Sequence, residues 1–154
     1  MDVKYLNPFV DSVLDVMPQL GFMDVSRGNL SLKTQDFIYS GVIILVGIVG
    51  ELKGNVVFRI NAEEAKKIAG SMLMDPELRE LDDLAKSALS ELANMIAATA
   101  ATNFSQAGIL IDISTPRLIY GENVLVKMSV KQILCVEFQC DQIPMELHIG
   151  IAPK

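Results

Sequence analysis

The sequence predicts an α+β fold in one domain spanning residues 1–154, with an antiparallel sheet of about six strands and long helices packed on one of its faces. Three observations lead there. The predicted order is helix, hairpin, two helices and then a meander of strands, so strands do not alternate with helices as a doubly wound parallel sheet requires. The 154 residues suffice for one substantial core and are too few for two ordinary domains. No linker or low-complexity segment interrupts them, and at 51% hydrophobic and 21% charged residues the composition is that of a folded chain.

Residues from about Pro8 to Leu20 carry Phe9, Val10, Val13, Leu14 and Val16 at mainly helical spacing. Asn7 fits an N-cap followed by proline in the first turn, and Gly21 fits the stop. Met23 to Leu32 gives a weak signal that admits a short strand. Phe37 to Ile48, rich in Ile, Val and Phe, reads as a central strand, and a turn at residues 50–54 joins it to Asn55–Ile60 as a hairpin. The glycines at 47, 50 and 54 precede a strand and no GKS or GKT follows, which speaks against a phosphate loop. Asn61 caps a helix through about Met74, with Glu63 and Glu64 at its positive end. Asp75-Pro76 breaks that pattern, and a long helix follows from about Pro76 to Phe104.

Beyond it, one or two short strands fall around Ile109–Ile113 and Arg117–Tyr120. Val124–Val130 and Lys131–Gln139 read as one long strand or two abutting ones. Met145–Ala152 alternates as the last strand.

Net charge is −6 and no predicted element carries a basic stripe, which argues against nucleic acid as a partner. The longest apolar run, Gly41 to Gly50, is half the roughly twenty residues of a membrane-spanning helix, so no membrane partner is expected. The N-terminal MDVKYLNPFVDSV lacks the basic-then-apolar pattern of a secretory signal, and a cytoplasmic protein is expected. Cys135 and Cys140 are separated by an odd number of positions on one strand and so point to opposite faces, unsuited to a mutual disulfide. With a single histidine, His148, no zinc-like cluster is visible, and His148 reads as a strand residue with a satisfied ring.

The long helix holds the functional candidate. In Leu81–Ala101, LDDLAKSALSELANMIAATAA, steps of roughly 100° put Leu81, Ala85, Leu89, Leu92 and Ile96 within an arc of about 80°. Asp83, Ser87, Glu91 and Asn94 share an arc of about 80° on nearly the opposite side. That spacing alone is also the spacing of an ordinary wet face. Two details set it apart. Asn is about half a kcal/mol or more worse than Ala inside a helix, yet Asn94 stands among alanines. Met95 and Leu84 flank the polar arc as an apolar rim suited to docking.

The run Ser87-Ala88-Leu89-Ser90-Glu91-Leu92-Ala93-Asn94-Met95 resembles the Asp/Ser-x-x-x-Glu-x-x-Asn signature of the CheC/CheX/FliY phosphatases of bacterial chemotaxis. The hairpin GIVGELKGNVVFRI, the helix AEEAKKIAGSMLM and the segment IDISTP are similar in order and spacing, so the resemblance spans about Pro8 to Ile151. CheC-type members carry two such motifs. Here the first helix offers Asp15 with Pro18 three residues later, which cannot serve as the amide, so the chain resembles the one-site CheX branch, whose members are typically homodimers.

The resemblance implies a CheC-like fold and a phosphatase acting on the phospho-aspartate of a CheY-like response regulator. No cofactor is implied for this chain, since the regulator supplies Mg²⁺ and a lysine. Asn94 would orient the attacking water and Glu91 would contact the regulator's lysine. Ser87, Asp83 and Ala98 would line the docking surface. Family members often carry glycine where this chain has Ala93 and Ala98, which leaves an alternative of a non-catalytic adaptor for a chemotaxis or flagellar-switch protein.

Overall fold

In the computed structural model, which describes residues 2–33 and 36–154, the chain enters through a 3₁₀ turn at Val3–Tyr5 that Asp2 caps by accepting the Lys4 amide at 3.0 Å. That turn runs straight into helix α1 (Asn7–Gln19), so the helix has no side-chain cap and Asn7 lies inside it rather than at its N-cap. Pro8 sits in the first turn as expected, and Gly21, at φ +98°, ends the segment in a conformation open to glycine.

Strand β1 (Val25–Lys33) realises the weak signal after α1, and β2 (Asp36–Gly50) and β3 (Leu52–Ile60) form the hairpin. The last directly opposed pair is Ile48 and Gly54. Past it the strands part: Val49 and Gly50 pair with β4 (Ile111–Ile113), and Leu52 and Lys53 with β7 (Ile143–Pro153). Asn61 caps α2 (Ala62–Met72) by accepting the Glu64 amide at 3.0 Å.

The long helix α3 spans Asp83–Gln106, starting later than the predicted Pro76. The intervening residues fold back over α2: the Asp75 amide donates to the Gly70 carbonyl at 2.8 Å, and a Cβ at residue 70 would lie 2.6 Å from the Asp75 oxygen. Asp82 then starts the helix by accepting the Ala85 amide at 2.9 Å.

Residues 124–127 also differ from the prediction. They complete β5 (Arg117–Lys127) rather than abutting β6 (Ile133–Cys140), because a bulge carries the strand on. Tyr39 pairs with Val124 and Gly41 with Gly121, and the Asn123 amide donates to the Ser40 hydroxyl at 2.9 Å.

The strands form one antiparallel sheet in the order β1-β6-β7-β3-β2-β4, with β5 also on β2: seven strands among the described residues against the six or so predicted. All three helices pack on one face. Val42, Ile44, Val46 and Ile48 of β2 and Leu134, Val136 and Phe138 of β6 meet Phe9 and Val13 of α1, Ile68 of α2 and Leu89, Leu92 and Ile96 of α3. Phe9 and Phe104 close the α1–α3 contact edge to face, 5.7 Å between centroids.

On the opposite face, Ile43, Val57, Val126, Met128 and Ile133 form a second, smaller cluster. The end of the β2–β5 ribbon contributes to it. Past Gly41 (φ +135°) the ribbon carries Phe37 to within 4.5 Å of the His148 ring, and stacks Phe37 and Tyr39 on the Arg59 guanidinium at 4.8 and 4.1 Å. No helix among the described residues is long and apolar enough to cross a membrane.

Candidate functional site on the long helix

Helix α3 is held as a rigid bar. Ala85, Leu89, Leu92, Ala93, Ile96, Ala97, Ala100 and Phe104 are all buried, and Asn103 Nδ2 donates to the Pro8 carbonyl at 3.0 Å, tying its far end to α1. The sequence-derived core face therefore packs as expected. Its back is left to project from the molecule.

Asp83, Ser87 and Glu91 are exposed on that back and Asn94 is half-buried. All four line one open cleft of about 640 Å³, together with Lys86, Ser90, Thr115 and Pro116. Ala98 is exposed on the same arc but does not line the cleft. Leu84 is 64% exposed and supplies the predicted apolar rim, whereas Met95 is half-buried against the main core and does not.

The Glu91 carboxylate and the Asn94 amide make no hydrogen bond or ion pair with the described residues. A free carboxylate and a free amide on a rigid helix lose little on meeting a partner, since no internal bond must first be broken.

The model of the family described as chemotaxis phosphatase CheX matches residues 42–139, which include the hairpin, α3 and the strands around it. The chain belongs to the CheX family. A curated relative, the CheY-P phosphatase CheX of Thermotoga maritima, is 28% identical over 127 residues, 82% of each chain. Two solved structures share the fold. A CheC-like superfamily protein of Shewanella sp. PV-4 superposes with a TM-score of 0.85 at 26% identity, covering 99% of each chain. CheX in the CheX–CheY–BeF3–Mg²⁺ complex of Borrelia burgdorferi does so with a TM-score of 0.83 at 27% identity, covering 97% of this chain and 99% of that one.

Within this CheX-family fold, Lys86 and Ser90 lie one turn apart on the helix. Both were missed from the sequence, although helical spacing places them at the edge of the polar arc. Thr115 and Pro116 could not be placed by spacing, because only the strand register brings their corner to the helix.

The sheet also assembles a cluster that sequence spacing hid. Cys135 stands opposite His148 across β6 and β7, and with Glu146 these offer three potential metal-ligand atoms within 4.8 Å of one another. Arg59 already supplies a cation there, with Nη1 2.9 Å from His148 Nε2 and 3.4 Å from Glu146 Oε2. A guanidinium only donates, so Nε2 accepts and the ring proton is on Nδ1. That Nδ1 is buried without a partner, so the ring is only half satisfied, against the sequence expectation. The two cysteines are free and point to opposite faces, as their odd separation predicted.

Proposed function

We propose that this chain is a phosphatase that hydrolyses the aspartyl phosphate of a CheY-like response regulator, with α3 completing the regulator's active site. The carrying observation is the unengaged pair Glu91 and Asn94, exposed and half-buried on a helix locked into the core. Membership of the CheX family and the relatives' activity on CheY-P support the substrate class.

An acyl phosphate held by Mg²⁺ and a lysine, both belonging to the regulator, already has its charge neutralised. What remains is to hold a water in line with the phosphorus, a task of positioning. An amide both donates and accepts without ionising, so Asn94 orients the water. Glu91 makes a charge-assisted contact with the regulator's lysine, and Ser87 and Asp83 meet the docked surface. Ala98, exposed one turn beyond Asn94, leaves room for the partner to approach.

The alanines standing where relatives often have glycine do not favour an adaptor. The Ala93 side chain is fully buried in the core, away from the cleft, and Ala98 lies outside the cleft.

Among the described residues the sheet has two open edges, β1 and the β4–β5 side of β2, with Leu32 60% exposed on β1. Pairing of one edge across a two-fold axis makes a homodimer. The soluble-enzyme reading carries a cytoplasmic location with it.

The test is the decay of a phosphorylated CheY-like regulator with and without this protein. Acceleration supports the phosphatase, and tight binding of the phosphorylated regulator with no acceleration indicates an adaptor instead.

A further inference from the structure

The cleft beside Glu91 and Asn94 has two walls, and only one of them is α3. The other comes from the outer edge of β2, which two strands share. β5 pairs along Asp36–Leu45 and β4 along Ile48–Gly50. Between them the edge strand leaves the sheet and the backbone of Gly47 would be stranded. Ser114 closes this gap from both sides: its amide donates to the Gly47 carbonyl at 2.9 Å, and its hydroxyl accepts the Gly47 amide at 2.7 Å. A Cβ at residue 47 would stand 3.1 Å from that hydroxyl, so glycine permits the latch to close.

The latch fixes the next two residues, Thr115 and Pro116, beside the flank of α3 that carries Lys86, Ser90 and Asn94. Proline narrows the backbone freedom of the corner further, and Thr115 is exposed.

A partner that touches only a projecting helix can roll about the helix axis, and rolling moves an inserted side chain sideways by ångströms. Misplacement by about 1 Å can cost a hundredfold in a reaction that depends on in-line attack. A second wall removes that freedom.

We propose that the Thr115–Pro116 corner is the second docking wall for the phosphorylated response regulator, a pair of positioning residues that set the regulator's angle about α3. This rests on the phosphatase reading above. Thr115 and Pro116 act through the formation and the angle of the docked complex, and Asn94 acts on the water within it.

The test compares wild type, Thr115→Arg, Thr115→Ser and Asn94→Ala. The readouts are kcat and KM for the phosphorylated regulator, and affinity for the regulator loaded with BeF3 and Mg²⁺, which reports docking without turnover. Thr115 is exposed, so circular dichroism and thermal melting of Thr115→Arg should match wild type. Arginine at 115 fills the cleft and should raise KM and weaken affinity by roughly tenfold or more. Thr115→Ser should shift KM and affinity far less than Thr115→Arg does, and Asn94→Ala should lower kcat instead. Wild-type KM and affinity in a folded Thr115→Arg overturn the wall alone. A wild-type chain that neither binds nor accelerates overturns the phosphatase reading, and the wall with it.

Discussion

Asp82 accepts a hydrogen bond from the Ala85 amide at 2.9 Å and so caps the first turn of the long helix. It satisfies one of the four orphan amides of the first turn and puts a carboxylate at the positive end of a 24-residue helix.

Asp82→Ala should therefore destabilise the protein by about 1 kcal/mol, lowering Tm by roughly 2–4 °C. Glu91 and Asn94 lie two to three turns further on, so phosphatase turnover of the folded variant should stay near wild type. Differential scanning calorimetry and a turnover assay check the two halves of this expectation.

Leu89 is fully buried under the cleft, one residue before Ser90 and two before Glu91. Leu89→Ala should cost about 2–5 kcal/mol through lost transfer energy and a residual cavity. Equilibrium urea unfolding should show a lower midpoint with an unchanged slope. A change below about half a kcal/mol would mean that α3 is not anchored as described.

Burial pushes the Cys140 thiol up to about 12, with the neighbouring Asp141 adding to the shift, and burial also raises Cys135. At pH 8 both thiols should stay protonated and shielded, and a thiol-reactive disulfide reagent should label neither until the protein is unfolded. An unburied cysteine thiol ionises near 9.0 and the folded Cys140 near 12, so its burial favours the fold below pH 9. That contribution fades as pH climbs from 9 toward 12. Fast labelling of the native protein at pH 8 would contradict the buried placement.

Sedimentation equilibrium at micromolar concentration should return twice the 16.8 kDa monomer mass. A single monomeric species would contradict the edge-paired homodimer.

What the sequence revealed, and what it hid, follows the range of the interactions involved. The Asn61 cap, the core face Leu89–Leu92–Ile96 and the polar back Asp83–Ser87–Glu91–Asn94 are set within a few residues, and all were readable from spacing. The start of α3 was misplaced because Glu77, Leu78, Arg79 and Glu80 are good helix formers. Tertiary folding of Asp75 onto Gly70 overrides them.

The Ser114–Gly47 latch joins residues 67 apart, and the Arg59–His148 contact residues 89 apart. Both depend on strand register, which hydrophobic alternation does not reveal for strands buried on both faces. The ribbon that covers His148 was hidden for the same reason. Nothing local in Phe37 or Tyr39 signals that β2 bends at Gly41.

In the proposed reaction Asn94 orients the attacking water in a site that α3 completes. Single-turnover decay of a phosphorylated CheY-like regulator, at saturating protein, measures it most directly. With Asn94→Ala the accelerated rate should fall about a hundredfold, while affinity for the BeF3- and Mg²⁺-loaded regulator stays within about twofold of wild type. An Asn94→Ala protein that accelerates decay as well as wild type does would contradict the account.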